Sequence, residues 1–182
     1  MSIIGNIKKG LLNRKAKIIH AGQQRTVRLI EFNQVKTVGI LFNASDENKY
    51  NRAAHLVRHL RTLKKDVRAI GYVQMSELPH YADVTISLNY IKRKEVNWYG
   101  LPINKFSSEF INSEFDLLID LDFINNPTLK YLANTSMAHC KVGLKQDNNS
   151  SIYDFMLEGI DPENINLFLK ELLHYLEMVK TQ

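Results

Sequence analysis

Residues 35–74, VKTVGILFNASDENKYNRAAHLVRHLRTLKKDVRAIGYVQ, contain the pattern that decides the fold. Two short apolar runs, KTVGILFNA and DVRAIGYVQ, predict strands that are buried on both faces. The segment between them predicts an amphipathic helix that is capped by Ser45 or Asp46 and carries cations near its end. The expected inner face of this helix consists of Ala53, Ala54, Val57, Leu60 and Leu63. A strand, a helix and a strand of these lengths form a right-handed βαβ unit with parallel strands.

A second pattern of the same kind follows in residues 115–144. FDLLIDLD (115–122) predicts a strand, and Pro127 suits the first turn of a helix that extends to Ala138. HCKVGL (139–144) predicts the next strand. We therefore expect VGILF, VRAIGYV, DLLIDL and CKVGL to be adjacent parallel strands of one sheet.

The remaining segments complete the sheet and add a last helix. VTISL (84–88) and IYDFML (152–157) predict two further strands. Asp161 is expected to cap the last helix, with Pro162 at its first position. The apolar stripe of that helix consists of Ile165, Phe168, Leu169, Leu172, Leu176 and Val179. Residues 35–182 are thus predicted to be a single three-layer, Rossmann-like α/β domain with a mostly parallel sheet.

Residues 1–34 are predicted to be a basic helical arm. Residues 1–36 contain eight Lys or Arg and one acid, Glu31, whereas the rest of the chain holds 16 basic and 18 acidic residues. Residues 3–19 predict an amphipathic helix, and residues 26–32 predict a short strand or a linker. The expected apolar face consists of Ile3, Ile4, Ile7, Leu11 and Ile18. The helix is expected to dock on its own domain, a protein partner or a second copy. Peripheral contact with a membrane is the less favoured alternative, because two glycines interrupt the apolar face.

Composition places the chain among ordinary globular proteins. Hydrophobic residues make up 45% of the 182 residues and charged residues 24%. No apolar run is long enough to span a bilayer, and the N-terminal residues lack the features of a signal peptide. The single cysteine, Cys140, excludes an intramolecular disulfide. We therefore expect a cytoplasmic protein, and no motif predicts a cofactor.

Several of these segments carry a resemblance to known families. VGILFNA, VRAIGYV, NWYGLP, FDLLIDL and KVGL resemble an uncharacterised family of small bacterial α/β proteins of Bacteroidetes type. Residues 116–144 are also similar to part of the N-terminal half of heptosyltransferase-like glycosyltransferases. There, too, a D-x-x-I-D-L strand leads to a helix and then to a V-G strand. Both resemblances imply the same α/β fold. The second supports the fold rather than a transfer activity, because this chain has room for only one of the two halves, and a glycosyltransferase-like half domain is the alternative that it suggests.

Polar residues follow the two strands whose ends are predicted most firmly. Parallel strands place their carboxyl ends at one edge of the sheet, where ligands of open α/β sheets bind. The turns there carry Asn43, Ser45, Asp46, Asp122 and Asn125, which we expect to line one crevice. Those turns hold no lysine or arginine, so a magnesium ion, a sugar hydroxyl or a peptide amine suits the crevice better than a free phosphate.

Each of these residues also has a structural interpretation. Ser45 and Asp46 are natural caps for the first helix, and Asp122 or Asn125 for a later one. Asp120 and Asp122 stand two apart on a strand and could hold magnesium together. The alternative, which we favour, is that neighbouring groups engage Asp120.

Three other candidates are weaker. His55 and His59 have the spacing of a metal-binding pair but lack a third ligand. Cys140 lies in a predicted buried strand, where a cysteine acts as a small hydrophobe. Aromatic and basic residues mix in one segment, but no nucleic-acid-binding module surrounds it. That segment contains Tyr90, Lys92, Arg93, Lys94, Trp98 and Tyr99.

Two functions are consistent with these patterns. The first is a non-enzymatic module that binds a ligand or a protein partner. The alternative is an enzyme or remnant enzyme that acts on a nucleotide or on a phosphorylated or sugar molecule. The first is favoured because the acids, histidines and cysteine all have structural interpretations.

Overall fold

The computed structural model describes residues 3–22, 25–28, 30–146 and 151–178. These residues form five α-helices, six strands and one 3₁₀ turn at Arg93–Glu95. The helices are α1 (Ile3–Gly22), α2 (Glu47–Thr62), α3 (Lys105–Asn112), α4 (Pro127–Thr135) and α5 (Ile165–Met178). The strands are β1 (Thr37–Asn43), β2 (Asp66–Val73), β3 (Leu88–Lys92), β4 (Leu117–Asp120), β5 (Cys140–Leu144) and β6 (Phe155–Leu157).

The six strands form one sheet in the order β3-β2-β1-β4-β5-β6. Every neighbouring pair is parallel. The four strands predicted to be adjacent are β2, β1, β4 and β5, so that prediction is confirmed. This order is the one found in doubly wound α/β folds, in which the chain changes direction across the sheet between β1 and β4.

Helices cover both faces of the sheet, so the domain has the three predicted layers. Alternate strand residues point to opposite faces. Val38, Ile40 and Phe42 pack with α2 and α5, whereas Leu41 and Leu118 pack with α1, α3 and α4. Both clusters bury continuous apolar surface, which is the main source of stability in a domain of this size.

One predicted strand is wrong. Residues 84–88 do not form a strand, because Thr85 and Leu88 pair with each other across a tight turn. Ile86 at this turn is 94% exposed. The edge strand β3 begins at Leu88 instead, where apolar residues reach the core.

Three predicted helix boundaries also change. The last helix begins at Ile165 rather than after Asp161, because Asn164 Oδ1 accepts the Leu167 N–H at 3.0 Å. Asp161 instead accepts the Glu163 N–H within the preceding turn. Helix α4 ends at Thr135, before the predicted Ala138. Val179 lies outside the described residues. On α2, Leu63 is the C-cap and is 44% exposed, so it does not belong to the inner face.

The predicted N-terminal helix is present as α1, and it packs on α4. Among the described side chains of α1, Leu12 and Ala16 are buried, at 5% and 2% exposure. Ile7 and Ile18 are 51% and 59% exposed, so the predicted apolar face is not the docked face. The side chains of Ile3 and Ile4 lie outside the described part of the chain. Within the described residues, no helix is long and apolar enough to cross a membrane.

The segment after α1 is a linker rather than a strand. Its described residues, 25–28 and 30–32, run past the amino end of β5, where the Arg28 N–H bonds to the His139 carbonyl at 3.1 Å. The Arg25 guanidinium pairs with Asp154 and donates to the Ala138 carbonyl at 2.5 Å. The linker is therefore fixed to the domain by backbone and ionic contacts.

Candidate functional site

The ends of β1 and β4 form the natural ligand position in this sheet. The two strands are neighbours, and the helices that follow them, α2 and α4, pack on opposite faces. Because the two chain segments diverge there, a crevice opens beyond the strand ends. This is where the sequence predicts a shared site.

A small pocket lies in this crevice. Its lining residues are Asn43, Lys49, Leu121, Asp122, Phe123, Ile124, Pro162 and Ile165. Its free volume is about 10 Å³, which is room for about one water-sized group. Asn43 and Asp122 both line this pocket, whereas Ser45, Asp46 and Asn125 are not part of the lining.

Ser45 ties two strand ends together. Asn43 Oδ1 accepts the Ser45 N–H at 2.9 Å and so shapes the turn after β1. The Ser45 hydroxyl accepts the Gln74 N–H at 2.7 Å, just beyond the end of β2. These bonds give Asn43 and Ser45 a role in holding the crevice edge.

Asp46 caps α2. The sequence predicted that either Ser45 or Asp46 would do so. Its Oδ1 accepts the Lys49 N–H at 2.9 Å. The same turn directs the Lys49 side chain towards the pocket, where its ammonium lies 3.4 Å from Glu163. The turns after β1 and β4 hold no lysine or arginine, as the sequence shows, but the first turn of α2 adds Lys49 to the pocket lining.

Asp122 is the buried acid of the pocket, with no exposed surface. Its Oδ2 accepts the Asn126 N–H at 2.6 Å. Its Oδ1 has no hydrogen-bond partner among the described residues. A buried carboxylate oxygen without a donor is unfavourable, so this atom stands out as the place for a ligand's donor group.

The pKa of Asp122 reflects this environment. Burial raises the pKa of Asp122 to about 6, and the charge of the neighbouring Asp120 carboxylate is the second-largest cause of this rise. Lys130, the Asn126 N–H and the nearby Ile124 N–H oppose the shift, although the distance and angle of the Ile124 N–H do not make a hydrogen bond to Oδ1. Close to neutral pH the carboxyl group is therefore easily converted between its charged and neutral forms.

Asp120 is engaged by its neighbours, as the structural interpretation predicted. The Lys130 ammonium donates to Asp120 Oδ2 at 3.0 Å and to the Asp122 carbonyl oxygen at 2.9 Å. The Tyr153 hydroxyl donates to Asp120 Oδ2 at 2.5 Å and accepts from Lys130 at 2.6 Å. Sequence reasoning missed Lys130 and Tyr153, which come from α4 and from the loop before β6. A lysine three residues into a helix that follows two aspartates is the one signal that could have suggested the pair.

Asn125 lies beside the site without entering it. It is exposed and has a left-handed backbone, with a φ of 60°. The N-cap of α4 is its neighbour Asn126, whose Oδ1 accepts the Thr128 N–H at 3.0 Å. The interpretation of Asn125 as a helix cap is therefore wrong by one residue.

The remaining candidates do not converge on the crevice. His55 and His59 are exposed on α2, and the described residues contain no group of three or more His, Cys, Asp or Glu that could hold a metal ion. Cys140 is buried, and burial raises its pKa to about 11. Tyr90 is buried with its hydroxyl on the Asp83 carbonyl, whereas Trp98 is 60% exposed.

Comparison with known proteins identifies the family. A family model matches residues 7–179, which is nearly the whole chain. The chain belongs to DUF6913, a family of unknown function. No curated protein and no solved structure matches it. The resemblance to heptosyltransferase-like enzymes and to proteins of Bacteroidetes type therefore gains no support from these comparisons.

Proposed function

We propose that this protein is a non-enzymatic binding module whose ligand enters the crevice between the ends of β1 and β4. The observation that carries the proposal is the buried Asp122 Oδ1, which lines the pocket and lacks a donor. Most buried polar atoms in proteins are hydrogen-bonded. A ligand that supplies a donor would satisfy this atom.

The pocket favours an amine or a hydroxyl group as the part of the ligand that enters. Both groups donate to a carboxylate, and the pocket admits only a small group. Its walls include the apolar side chains of Ile124 and Ile165. A magnesium ion suits it less well, because one free carboxylate oxygen and one amide do not make up the six oxygen ligands that the ion requires.

The titratable side chains near the site and in the core support binding rather than catalysis. Asp120 is held by Lys130 and Tyr153. Burial raises the pKa of Tyr153 well above its usual value, and the Asp120 carboxylate is the second-largest cause. The Tyr153 hydroxyl is therefore a poor acid or base at neutral pH. Cys140 has a raised pKa and is a thiol at neutral pH.

The alternative, an enzyme or remnant enzyme for a nucleotide or a phosphorylated or sugar molecule, has less support. The turn after β1 contains no glycine-rich phosphate-binding motif. Lys49 is the single cation among the residues that line the described pocket, and it already contacts Glu163. The pocket is also far smaller than the usual nucleotide site.

A thermal-shift screen tests the proposal. Primary amines, amino acids, sugars and polyols are added to the wild type, to Asp122→Asn and to the control Asp46→Asn. Both substitutions remove one negative charge, and Asn at position 46 keeps the capping oxygen. Binding stabilises a protein by RT ln(1 + [L]/Kd), so a ligand at about 100 times its Kd adds roughly 2.7 kcal/mol.

The expected result is that active compounds raise the melting temperature of the wild type and of Asp46→Asn but not of Asp122→Asn. The proposal is wrong if no amine or hydroxyl compound stabilises the wild type. It is also wrong if the active compounds stabilise Asp122→Asn equally.

A further inference from the structure

Helix α1 has two distinct faces. Leu12 and Ala16 are buried against the domain. Ile7 and Ile18 are 51% and 59% exposed, and Leu11 between them is half-buried. At 100° per residue, Ile7, Leu11 and Ile18 fall within about 40° of one another and about 140° from the docked residues. The outer surface of α1 therefore carries an apolar stripe, which we call the outer stripe (Ile7, Leu11 and Ile18).

The outer stripe has basic surroundings. Helix α1 contains Lys8, Lys9, Arg14, Lys15 and Lys17 and no acidic residue. Arg14 and Lys15 are exposed. No ion pair of the described residues involves either of them, whereas Arg25 and Arg28 of the linker pair with Asp154 and Asp116. Arg14 and Lys15 are thus two exposed cations of α1 that make no ion pair with the described residues.

We propose that the outer stripe and its cations bind an anionic membrane surface while α1 stays docked on α4. Amphipathic helices that lie in the membrane interface carry Lys and Arg on a polar face and bury their apolar face at the boundary between headgroups and acyl chains. Juxtamembrane cations add attraction to acidic lipids. The contacts of Arg25 and Arg28 fix the linker, so the domain would be carried to the surface with the helix.

An anionic membrane fits the outer stripe better than a nucleic acid or a protein groove. Nucleic-acid phosphates attract cations but offer no partner for exposed isoleucines, which would remain in water. A protein groove that accepts a helix binds apolar anchors at positions i, i+3, i+4 and i+7, and from Ile7 that series reaches Gly10, Leu11 and Arg14. Here one side of α1 is already covered by its own domain, which leaves a convex strip suited to a flat surface.

Vesicle sedimentation with the full chain tests the proposal. The vesicles contain phosphatidylcholine alone or phosphatidylcholine with phosphatidylserine. We expect the wild type to sediment with the acidic vesicles and to remain in solution with the neutral ones. Replacing Arg14 and Lys15 by Gln should weaken binding about fivefold for each cation, or about 25-fold together.

The apolar contribution is tested by a matched pair of double variants. Ile7→Asp/Ile18→Asp should abolish sedimentation. Val84→Asp/Ile86→Asp should preserve it, although it also replaces two exposed apolar residues by acids. The melting temperature of both variants should match that of the wild type, because all four positions are exposed.

Four outcomes would overturn the proposal. The first is a wild type that does not bind acidic vesicles. The second is equal loss of binding in the two double variants. The third is a lowered melting temperature in Ile7→Asp/Ile18→Asp alone, which would mean that the outer stripe is a structural contact. The fourth is a wild-type dimer in size-exclusion chromatography that this variant dissociates, which would assign the stripe to a second copy.

Discussion

The Lys130 ammonium lies 3.0 Å from the buried Asp120 carboxylate, at the end of β4. Its other hydrogen bonds go to the Asp122 carbonyl oxygen and the Tyr153 hydroxyl. An internal cation therefore occupies a position beside the Asp120 carboxylate, which a magnesium ion bound by both aspartates would also need. Asp120 is satisfied by the protein itself, and only Asp122 keeps a free oxygen for a ligand.

Removing this cation should destabilise the fold strongly. Lys130→Met leaves Asp120 buried without its charge partner, and breaking a buried pair in this way costs about 3–5 kcal/mol. The double variant Asp120→Asn/Lys130→Met should recover most of the loss, because it removes both charges. Urea denaturation at pH 7 measures the free energy of unfolding of each variant.

The exposed Lys170 on α5 supplies the control. Lys170→Met should change the free energy of unfolding by less than about 0.5 kcal/mol. If Lys130→Met were equally mild, the ammonium would not be what satisfies Asp120.

The strands were predictable because their buried residues are consecutive in sequence. VGILF and DLLIDL each show a continuous apolar run, and a run of this kind has few interpretations other than a strand covered on both faces. The docked face of α1 was not predictable in the same way. The isoleucines of α1 dominate its hydrophobic pattern, but the docked face is set by contacts with distant parts of the chain, such as that of Leu12 with Gly100.

Burial of the Lys141 side chain predicts an alkaline rise in stability. Lys141 is 2% exposed, and its ammonium donates to the Asn134 carbonyl at 2.8 Å. Burial lowers the pKa of Lys141 to about 7, and the charge of Arg25 is the second-largest cause. The Asp154 carboxylate opposes the shift. Between pH 7 and the ordinary lysine pKa, the unfolded chain binds a proton that the folded protein does not. The free energy of unfolding should therefore rise by roughly 3 kcal/mol from pH 7 to pH 10.

Denaturation curves at several pH values compare the wild type with Lys141→Met and the exposed control Lys145→Met. Lys141→Met should lose the alkaline rise and should be more stable than the wild type at pH 7, because an apolar side chain suits the site. Lys145→Met should keep the rise. A rise that persists in Lys141→Met would assign it to another group.

Substitutions of two glycines, one in contact with α1 and one within α1, should change the free energy of unfolding in opposite directions. Gly100 has a φ of 103°, and a Cβ there would lie 3.2 Å from Leu12 Cδ1. Gly100→Ala should lower the free energy of unfolding by about 1–3 kcal/mol, because it strains the backbone and presses on α1. Gly10 lies in α1 with open space around it, so Gly10→Ala should raise stability by up to about 1 kcal/mol. Thermal denaturation checks both, and a neutral Gly100→Ala would contradict the close contact with Leu12.

The candidate site was only partly predictable. Asn43 and Asp122 follow strands whose direction is clear, and parallel strands bring their carboxyl ends to one edge, so the meeting of these two residues follows from topology. The partners of Asp120 depend on where α4 and the loop before β6 pack. That information is not local, because Lys130 and Tyr153 lie 10 and 33 residues from Asp120 along the chain.

The most direct test of the central claim compares the free energies of unfolding of the wild type and Asp122→Asn as a function of pH. Burial in the folded protein raises the pKa of Asp122 from its ordinary value of about 4 to about 6. The free energy of unfolding of the wild type is therefore highest, with respect to this group, below pH 4. It falls by about 3 kcal/mol as the pH rises from 4 through 6. The asparagine keeps an oxygen for the Asn126 N–H and carries no charge, so the variant should be more stable than the wild type by roughly that amount at pH 7.5, with the difference vanishing near pH 4. A variant that is less stable at pH 7.5 would show that the Asp122 carboxylate is already satisfied by the fold and is not waiting for a ligand.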